Sequence, residues 1–294
     1  MTTRRTIRLR SFELATQDIA SVDPGALHAL SIGVAWPHRP ADWEMLRALG
    51  RGFVALDDIG RVFGSAMWFP HGEDFATIGM VITNPRVQAH GGGRWIMTRL
   101  LEDCGERRLL LNATQAAFNL YLSLGFVPQA TVYQCQGVVP SGLPPTSPGP
   151  ETIAAVPPAD LPDVLALDAA AFGADRRCLL RHLAASSAML GLRRGDRWIG
   201  YAVSRPFGRG QVIGPIVAED EIQAARLVAA FLADLGGRFV RIDTRQGKGA
   251  FRSFLQASGL SVFDTVRTMT RGTTLSSVES GTPGIYGLAA HALG

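Results

Sequence analysis

Apolar and polar positions in the first 136 residues switch repeatedly between strand-like and helix-like spacing. At 6–11, Ile7 and Leu9 alternate with polar residues, which predicts a strand. At 27–49 the apolar spacing is helical, but Pro37 and Pro40 interrupt it, so two helices are predicted. Further strands are predicted at 53–57, 62–69, 76–83, 108–112 and 131–136, and further helices at 93–103 and 115–124. The pattern therefore predicts an α/β unit.

The second half repeats this order of elements. Helices are predicted at 161–172, 178–185, 221–235 and 250–257, and strands at 188–193, 198–205, 211–218, 239–243 and 266–271. A matching order in two halves indicates an internal duplication of one α/β unit. The predicted fold class is therefore α/β (α+β), with two related domains in one chain.

A proline-rich segment separates the two halves. Residues 137–150 carry five prolines in their last eleven positions. Proline at this density prevents a helix and weakens sheet pairing, which leaves an extended spacer. We therefore predict a first domain at 1–136, a linker at 137–150 and a second domain at 151–294. Residues 273–294 are expected either to form a loose tail or to dock back on the body.

Composition narrows the class of protein further. Among 294 residues, 47% are hydrophobic and 18% charged, which excludes an intrinsically disordered chain. Cys104, Cys135 and Cys178 form no CxxC pair, so neither a disulfide scaffold nor a metal site is expected. No apolar run follows the basic first ten residues and none reaches about 18 residues, so a cytoplasmic protein without a membrane span is expected. The net charge of +4 is not clustered, so no nucleic-acid partner is expected.

A glycine-rich turn lies between the strand predicted at 76–83 and the following helix. Gly91, Gly92 and Gly93 allow unusual backbone angles and let a ligand approach the main chain. Their N–H groups suit phosphate oxygens, and a bound anion would relieve the unfavourable position of Arg94 at a helix N-terminus. The turn matches neither the GxGxxG fingerprint nor a P-loop. A tight turn without any ligand remains the alternative.

Two motifs give this turn a more specific meaning. Gln88, Gly91 and Gly93 occupy the fixed positions of the pattern Q/R-x-x-G-x-G/A, and 117–126 matches A-x-x-x-Y-x-x-x-G-F after the next strand. In this order the motifs resemble the acetyl-CoA site of GNAT-fold N-acyltransferases, and the resemblance covers nearly all of 6–136. Segments in both halves are also similar to the YitH-type branch of bacterial GNAT proteins, at 111–114, 171–176 and 213–218. The resemblance implies tandem GNAT folds, each a mixed, mostly antiparallel sheet flanked by helices.

The resemblance assigns roles to residues of the first half. The backbone of Val81, Ile82 and Thr83 would pair with the pantetheine arm of acetyl-CoA, the co-substrate. Tyr121 would give a proton to the departing CoA thiolate, because a phenol is a neutral donor at pH 7. A core aromatic residue is the alternative interpretation of Tyr121. The pyrophosphate would lie over the backbone of Gln88, Ala89, His90, Gly91, Gly92, Gly93 and Arg94.

Two positions depart from the family pattern. Many members have a carboxylate that serves as general base for the amine, but the corresponding position here is Thr77, which cannot take a proton from an ammonium. The amine would then lose its proton through water or to a group elsewhere. His71, Glu73 and Asp74 precede this strand and could reach the mouth of the cleft, with solvated turn residues as the alternative. Asn112 stands where the branch more often has Asp, which puts in doubt any role that needs negative charge there.

The second half lacks the glycine loop. Its strand at 211–218 runs directly into Glu219, Asp220 and Glu221. Three carboxylates at a helix N-terminus satisfy the helix dipole and would repel a pyrophosphate. We therefore predict one cofactor site per chain, with the second domain shaping the acceptor site or a homodimer.

The resulting functional prediction is an N-acetyltransferase that moves an acetyl group directly from acetyl-CoA to a small-molecule amine. A non-catalytic acyl-CoA sensor is the main alternative, and transfer of an aminoacyl or longer acyl group is another. Three acidic residues of the second half are candidates for binding a cationic amine, with a helix cap or a surface acid as the alternative for each. They are Asp168, Asp175 and Asp243.

Overall fold

The computed structural model describes residues 6–9, 12–84, 91–275 and 282–294. The helices α1 Pro24–Gly33 and α2 Pro40–Leu49 are separate, as predicted, because Asp23 caps the first and a proline starts each of them. The strand β2 Phe12–Asp18 is not predicted by the sequence pattern. The first half contains strands β1 Thr6–Leu9, β2 Phe12–Asp18, β3 Arg51–Leu56, β4 Val62–His71, β5 Phe75–Thr83, β6 Arg108–Ala113 and β7 Val127–Val138, and helices α1 Pro24–Gly33, α2 Pro40–Leu49, α3 Gly92–Cys104 and α4 Phe118–Ser123.

The second half contains every helix and strand predicted for it. Strands β8 Thr152–Ala155 and β14 Gly284–Gly287 are additional. Both are only four residues long, which is too short to give a clear alternating pattern. The elements are helices α5 Leu161–Phe172, α6 Arg177–Ser186, α7 Glu221–Leu232 and α8 Ala250–Ala257, and strands β8 Thr152–Ala155, β9 Ala188–Arg194, β10 Arg197–Phe207, β11 Gly210–Ala218, β12 Phe239–Thr244, β13 Ser261–Arg271 and β14 Gly284–Gly287.

One continuous sheet joins the two halves. Its strand order is β1-β2-β3-β4-β5-β6-β13-β7-β12-β11-β10-β9-β8, and β14 pairs with β11 outside this path. Strand β13 of the second half lies between β6 and β7 of the first half and pairs antiparallel with both. Strand β7 pairs antiparallel with β12 on its other side. Main-chain hydrogen bonds therefore connect the halves in addition to the linker.

Side-chain packing also joins the halves. One buried cluster brings Trp43 and Leu46 of α2 together with Leu180 of α6, Tyr201 of β10 and Ala292 near the C-terminus.

Within the described ranges, no helix combines the length and apolar character that crossing a membrane requires. The C-terminal residues 284–294 dock on the body, which decides between the two alternatives left by the sequence.

Strands β5 and β6 separate halfway along their length. Their parallel pairing runs only from Phe75 to Ile78 on β5. Just beyond this point the register of β5 against β4 shifts, and Met80 adopts a left-handed φ of 51°. A bulge of this kind bends a strand and redirects it. An opening therefore forms between β5 and β6 while β5 stays paired with β4.

Candidate active site

The first component of the site is the end of β5, past the point where its pairing with β6 stops. Ile82 is buried, whereas Val81 and Thr83 are half-buried. Their strand is held from the other side by pairing with β4, where Ser65 lies opposite Ile82. A strand with one side open in this way can accept an extended ligand chain through main-chain hydrogen bonds.

The start of helix α3 is the second component. The helix begins at Gly92, one residue before the predicted start, and Gly91 caps it with a left-handed φ of 85°. A Cβ added at Gly91 would meet no atom of the described residues within 4 Å. The Arg94 guanidinium donates to Ser123 Oγ at 2.6 Å, which ties α3 to the end of α4. Gln88, Ala89 and His90, which the motif includes, lie outside the described residues.

Tyr121 is the third component, and helix α4 places it under the opening of the sheet. Its ring is 5% exposed and packs edge-to-face on Phe126 at 6.0 Å. Gly125 follows the helix with a left-handed φ of 83°, which lets the Phe126 backbone N–H donate to the Tyr121 carbonyl oxygen. Burial raises the pKa of Tyr121 above its ordinary value, so the hydroxyl stays protonated at neutral pH.

A cavity of about 710 Å³ connects the first and third of these components, the end of β5 and Tyr121, with the second half, whereas no described residue of α3 lines it. Residues 78–81 of β5 and Asn112 of β6 form its walls at the opening of the sheet, together with Tyr121. The opposite walls come from the segment after α1, from β10, β12 and β13, and from the C-terminal segment. Among the residues that line these walls are Trp36, His38, Arg205, Phe207, Arg209, Arg241, Asp243, Phe263, Asp264 and His291.

A charged cluster forms part of this opposite wall. Asp243 is 1% exposed and accepts from Arg241 Nε at 2.9 Å, and His291 Nε2 lies 3.4 Å from the same carboxylate. Burial alone would raise the pKa of Asp243, but His291 and Arg241 outweigh this effect and hold the pKa below its ordinary range. Of the three acids considered for amine binding, Asp243 lines the cavity, but Arg241 already neutralises it.

The other two acids have structural contacts elsewhere. Asp168 is buried and forms an ion pair with Arg176, which is itself fully buried. Asp175 accepts from the Arg177 backbone N–H at 2.9 Å, at the start of α6. Neither residue lines the cavity.

Asn112 has a role that needs its amide group. Its Nδ2 donates to the backbone carbonyl of His291 at 2.8 Å, and its Oδ1 accepts from Thr268 at 2.7 Å. An ionised aspartate could not make the first of these bonds, because it has no hydrogen to donate. Asparagine at this position therefore fastens the C-terminal segment to β6.

The residues ahead of β5 do not reach the cavity. His71 is 3% exposed, its Nε2 lies 3.0 Å from Thr77 Oγ1, and its ring packs against Phe172. The interpretation of His71 as a solvated turn residue is therefore wrong, because a helix of the second half covers it. Glu73 is exposed, and Asp74 forms a surface ion pair with Arg108.

The matching region of the second half is closed. Parallel pairing of β11 with β12 covers only Gln211 and Val212, so these strands separate as β5 and β6 do. Here, however, β14 pairs antiparallel with Ile216–Ala218 and occupies that side of β11. At the start of α7, Asp220 accepts from the Gln223 backbone N–H at 2.8 Å. Its carboxylate therefore occupies the position at this helix N-terminus that a bound phosphate would need.

Two family models match this chain. Both describe an acetyltransferase (GNAT) domain, one over residues 48–128 and the other over residues 164–282. The chain is a tandem GNAT acetyltransferase. Each half of the chain contains one of the matched domains, and the first match includes Gly91 and Tyr121.

Three proteins that resemble this tandem GNAT protein match it over most of their own length. It is 28% identical over 214 residues to the uncharacterised N-acetyltransferase YitH of Bacillus subtilis strain 168, across 71% of this chain and 74% of that protein. A candidate acetyltransferase of Pyrococcus horikoshii has the same fold, with a TM-score of 0.74, 19% identity and 96% coverage of both chains. A tandem GNAT protein of the clavulanic acid biosynthesis pathway matches with a TM-score of 0.61 and 15% identity, over 90% of this chain and all of that chain.

Sequence reasoning missed the contribution of the C-terminal segment to the site. His291 carries the one imidazole of that segment, and nothing in the local sequence distinguishes it from a surface histidine. The only signal was the short apolar stretch around it, which indicated possible docking. In the described part of the chain, no group of three His, Cys, Asp or Glu side chains has an arrangement suited to a metal ion.

Proposed function

We propose that the first half transfers an acetyl group from acetyl-CoA directly to a small-molecule amine. The observation that carries this proposal is the single cavity in which the open side of β5 and Tyr121 face residues of the second half. The opening between β5 and β6 leads one reactant to Tyr121, and the opposite walls leave space for the other. Holding two reactants in line is a major source of rate enhancement for a direct transfer.

The acetyl-CoA donor fits the residues present. The backbone of Val81, Ile82 and Thr83 would hold the pantetheine arm, since β6 leaves this side of β5 open. The N–H groups from Gly91 to Arg94 would hold the pyrophosphate, and Gln88, Ala89 and His90 complete the proposed loop. The left-handed cap at Gly91 supports this assignment.

Tyr121 is the proposed general acid. Tyr121 lines the cavity, and none of the hydrogen bonds among the described residues involves its hydroxyl. Because burial keeps the hydroxyl protonated, it can give its proton to a departing thiolate. Phe126 fixes the ring from the other side, so the hydroxyl needs no rearrangement before it acts.

One cofactor site per chain follows from the closed second half. Strand β14 covers the side of β11 that would correspond to the open side of β5. The carboxylate of Asp220 already satisfies the α7 N-terminus, and Glu219 lies beside it in an ion pair with Arg194. The second half instead supplies the acceptor side of the cavity through Arg205, Asp243 and other wall residues.

The test of catalysis combines binding with turnover. Acetyl-CoA should raise the melting temperature of the wild-type protein, and thiol release should be found within a panel of small amines. Tyr121→Phe should lower kcat by about 10²–10⁴-fold with little change in the stabilisation by acetyl-CoA. Tyr133→Phe is the matched control, because Tyr133 lies on β7 outside the cavity lining. Binding without turnover for every amine would favour the non-catalytic sensor instead.

A pair of variants tests the phosphate loop. Any side chain at Gly91 adds backbone strain, because its φ is left-handed, but a Cβ there would meet no atom of the described residues within 4 Å. Gly91→Ala therefore measures strain alone, whereas Gly91→Asp also places a negative charge beside the proposed pyrophosphate. We expect Gly91→Asp to abolish the stabilisation by acetyl-CoA and Gly91→Ala to retain most of it. Equal stabilisation of both variants and the wild type would remove the loop from the binding site.

A further inference from the structure

The proposed reaction needs a base, and the position where the family often has a carboxylate is occupied by Thr77. Thr77 is fully buried against His71 and does not line the cavity. An amine acceptor is an ammonium ion at neutral pH and cannot attack a carbonyl carbon until it loses a proton. The base therefore has to come from elsewhere in the cavity wall.

Four side chains with acid–base chemistry line the cavity beside Tyr121. Asp243 is unsuited to accept a proton, because its pKa is held low by His291 and Arg241. His38 is also unsuited, since burial lowers its pKa to about 3. Asp264 is exposed on β13, where its carboxylate accepts from the neighbouring Thr265 backbone N–H at 2.7 Å. The remaining side chain is that of His291.

The position of His291 is fixed by contacts on several sides. Its backbone carbonyl accepts from Asn112 at 2.8 Å, and its ring Nε2 lies 3.4 Å from Asp243 and 3.3 Å from Arg241 Nη2. Arg241 can only donate, so an Nε2 that accepts from it leaves the ring proton on Nδ1. The other tautomer, with Nε2–H directed to Asp243, gives up the bond from Arg241 and leaves the lone pair on Nδ1, where a proton can be accepted. The side chain is 26% exposed, so the imidazole is accessible from the cavity while its far side is anchored.

Resting on the proposed function, we propose that His291 is the general base that takes a proton from the acceptor amine. Nδ1 removes one proton from the ammonium, and the freed nitrogen forms its bond to the acetyl carbon as the carbon–sulfur bond breaks. Tyr121 gives its proton to the departing sulfur and regains one from the new amide nitrogen. The products are the acetamide, the CoA thiol and one proton, which His291 returns to solvent. Asp243 acts as a positioning residue that orients the imidazole.

Several charged or titratable groups surround the ring. Asp243 and Arg241 face it from β12, Arg205 approaches the same segment from β10 through the Ala289 carbonyl, and His38 lines the same cavity. Only the neutral imidazole can accept a proton, so kcat/KM of the wild type should fall as the pH is lowered. The amine also titrates, so its contribution is first subtracted from each profile of kcat/KM against pH. The remaining fall of kcat/KM at low pH should then be shallower in a variant without the base than in the wild type.

The test compares His291→Gln and His291→Ala with His182→Gln, whose ring lies on α6 outside the cavity lining. Both His291 variants should lose about 10²-fold or more in kcat at pH 7, yet keep the stabilisation by acetyl-CoA. Added imidazole should restore part of the activity of His291→Ala, because it replaces the missing base. The control should retain wild-type kinetics.

The outcomes separate this inference from the proposed function. A wild type that turns over amines, with His291→Gln variants of unchanged rate and pH profile, would overturn the role of His291 and leave the acetyl transfer intact. A loss of rate without rescue by imidazole and without any change in the pH profile would show a merely structural role and also overturn it. Absence of turnover in the wild type would refute the proposed function, and the inference with it.

Discussion

His71 makes the stability of the fold sensitive to acid. Burial, together with a smaller effect of the nearby Arg176 guanidinium, lowers its pKa from 6.5 to about 3. Between these two values the unfolded chain binds a proton that the folded chain does not. The contribution of the neutral, buried His71 to the stability of the fold is therefore fully present above pH 6.5 and is lost as the pH falls toward 3.

The magnitude follows from the size of the pKa difference. Between pH 7 and pH 5, a histidine with these two pKa values costs about 2 kcal/mol of the free energy of unfolding. Urea unfolding at both pH values measures the loss in the wild type and in His71→Gln, which retains a polar group near Thr77. The variant should lose about 2 kcal/mol less than the wild type over this interval, whatever its absolute stability. An equal loss in both proteins would refute the reasoning.

Two further substitutions test polar contacts, one within the second half and one between the halves. Asp168→Asn should lower the free energy of unfolding by about 3–5 kcal/mol, because it leaves the buried Arg176 without its counter-charge; an effect below about 1 kcal/mol in urea unfolding would contradict this. Asn112→Asp should cost about 1–3 kcal/mol at pH 7, since it removes the donor to the His291 carbonyl. Unchanged unfolding of that variant would mean that the bond does not hold the C-terminal segment.

Local signals predicted most of the elements correctly. The proline that begins α2 and the Asp23 cap of α1 are visible in the sequence, and they divide one apolar stretch into two helices. The start of α3 follows from the glycine run in the same way, to within one residue. These features depend on residues close together in the chain, so the sequence pattern is sufficient to find them.

Pairing between distant segments was not predictable from the pattern. Strand β13 was predicted as the closing strand of the second half, but it lies between β6 and β7 of the first half. Periodicity shows which face of a strand is buried, and it does not show which strand lies beside it. The sequence pattern also does not show that β5 and β6 separate halfway along their length.

The sequence pointed to Tyr121, which lines the cavity, but not to the opposite wall of the cavity. Tyr121 and the glycine turn belong to motifs that lie within one half of the chain. His291 reaches the cavity only because the C-terminal segment docks across both halves, where Asn112 holds it. His71 was misjudged for a related reason, since Phe172 of the second half buries it.

The number of acetyl-CoA molecules bound per chain tests the central claim most directly. Isothermal titration of the wild-type protein should give one site, because the proposed phosphate loop around Gly91 belongs to the first half, while β14 closes the matching side of the second. The same titration of Gly91→Asp should show no binding. Two sites per chain, no binding by the wild type, or undiminished affinity of Gly91→Asp would contradict the account.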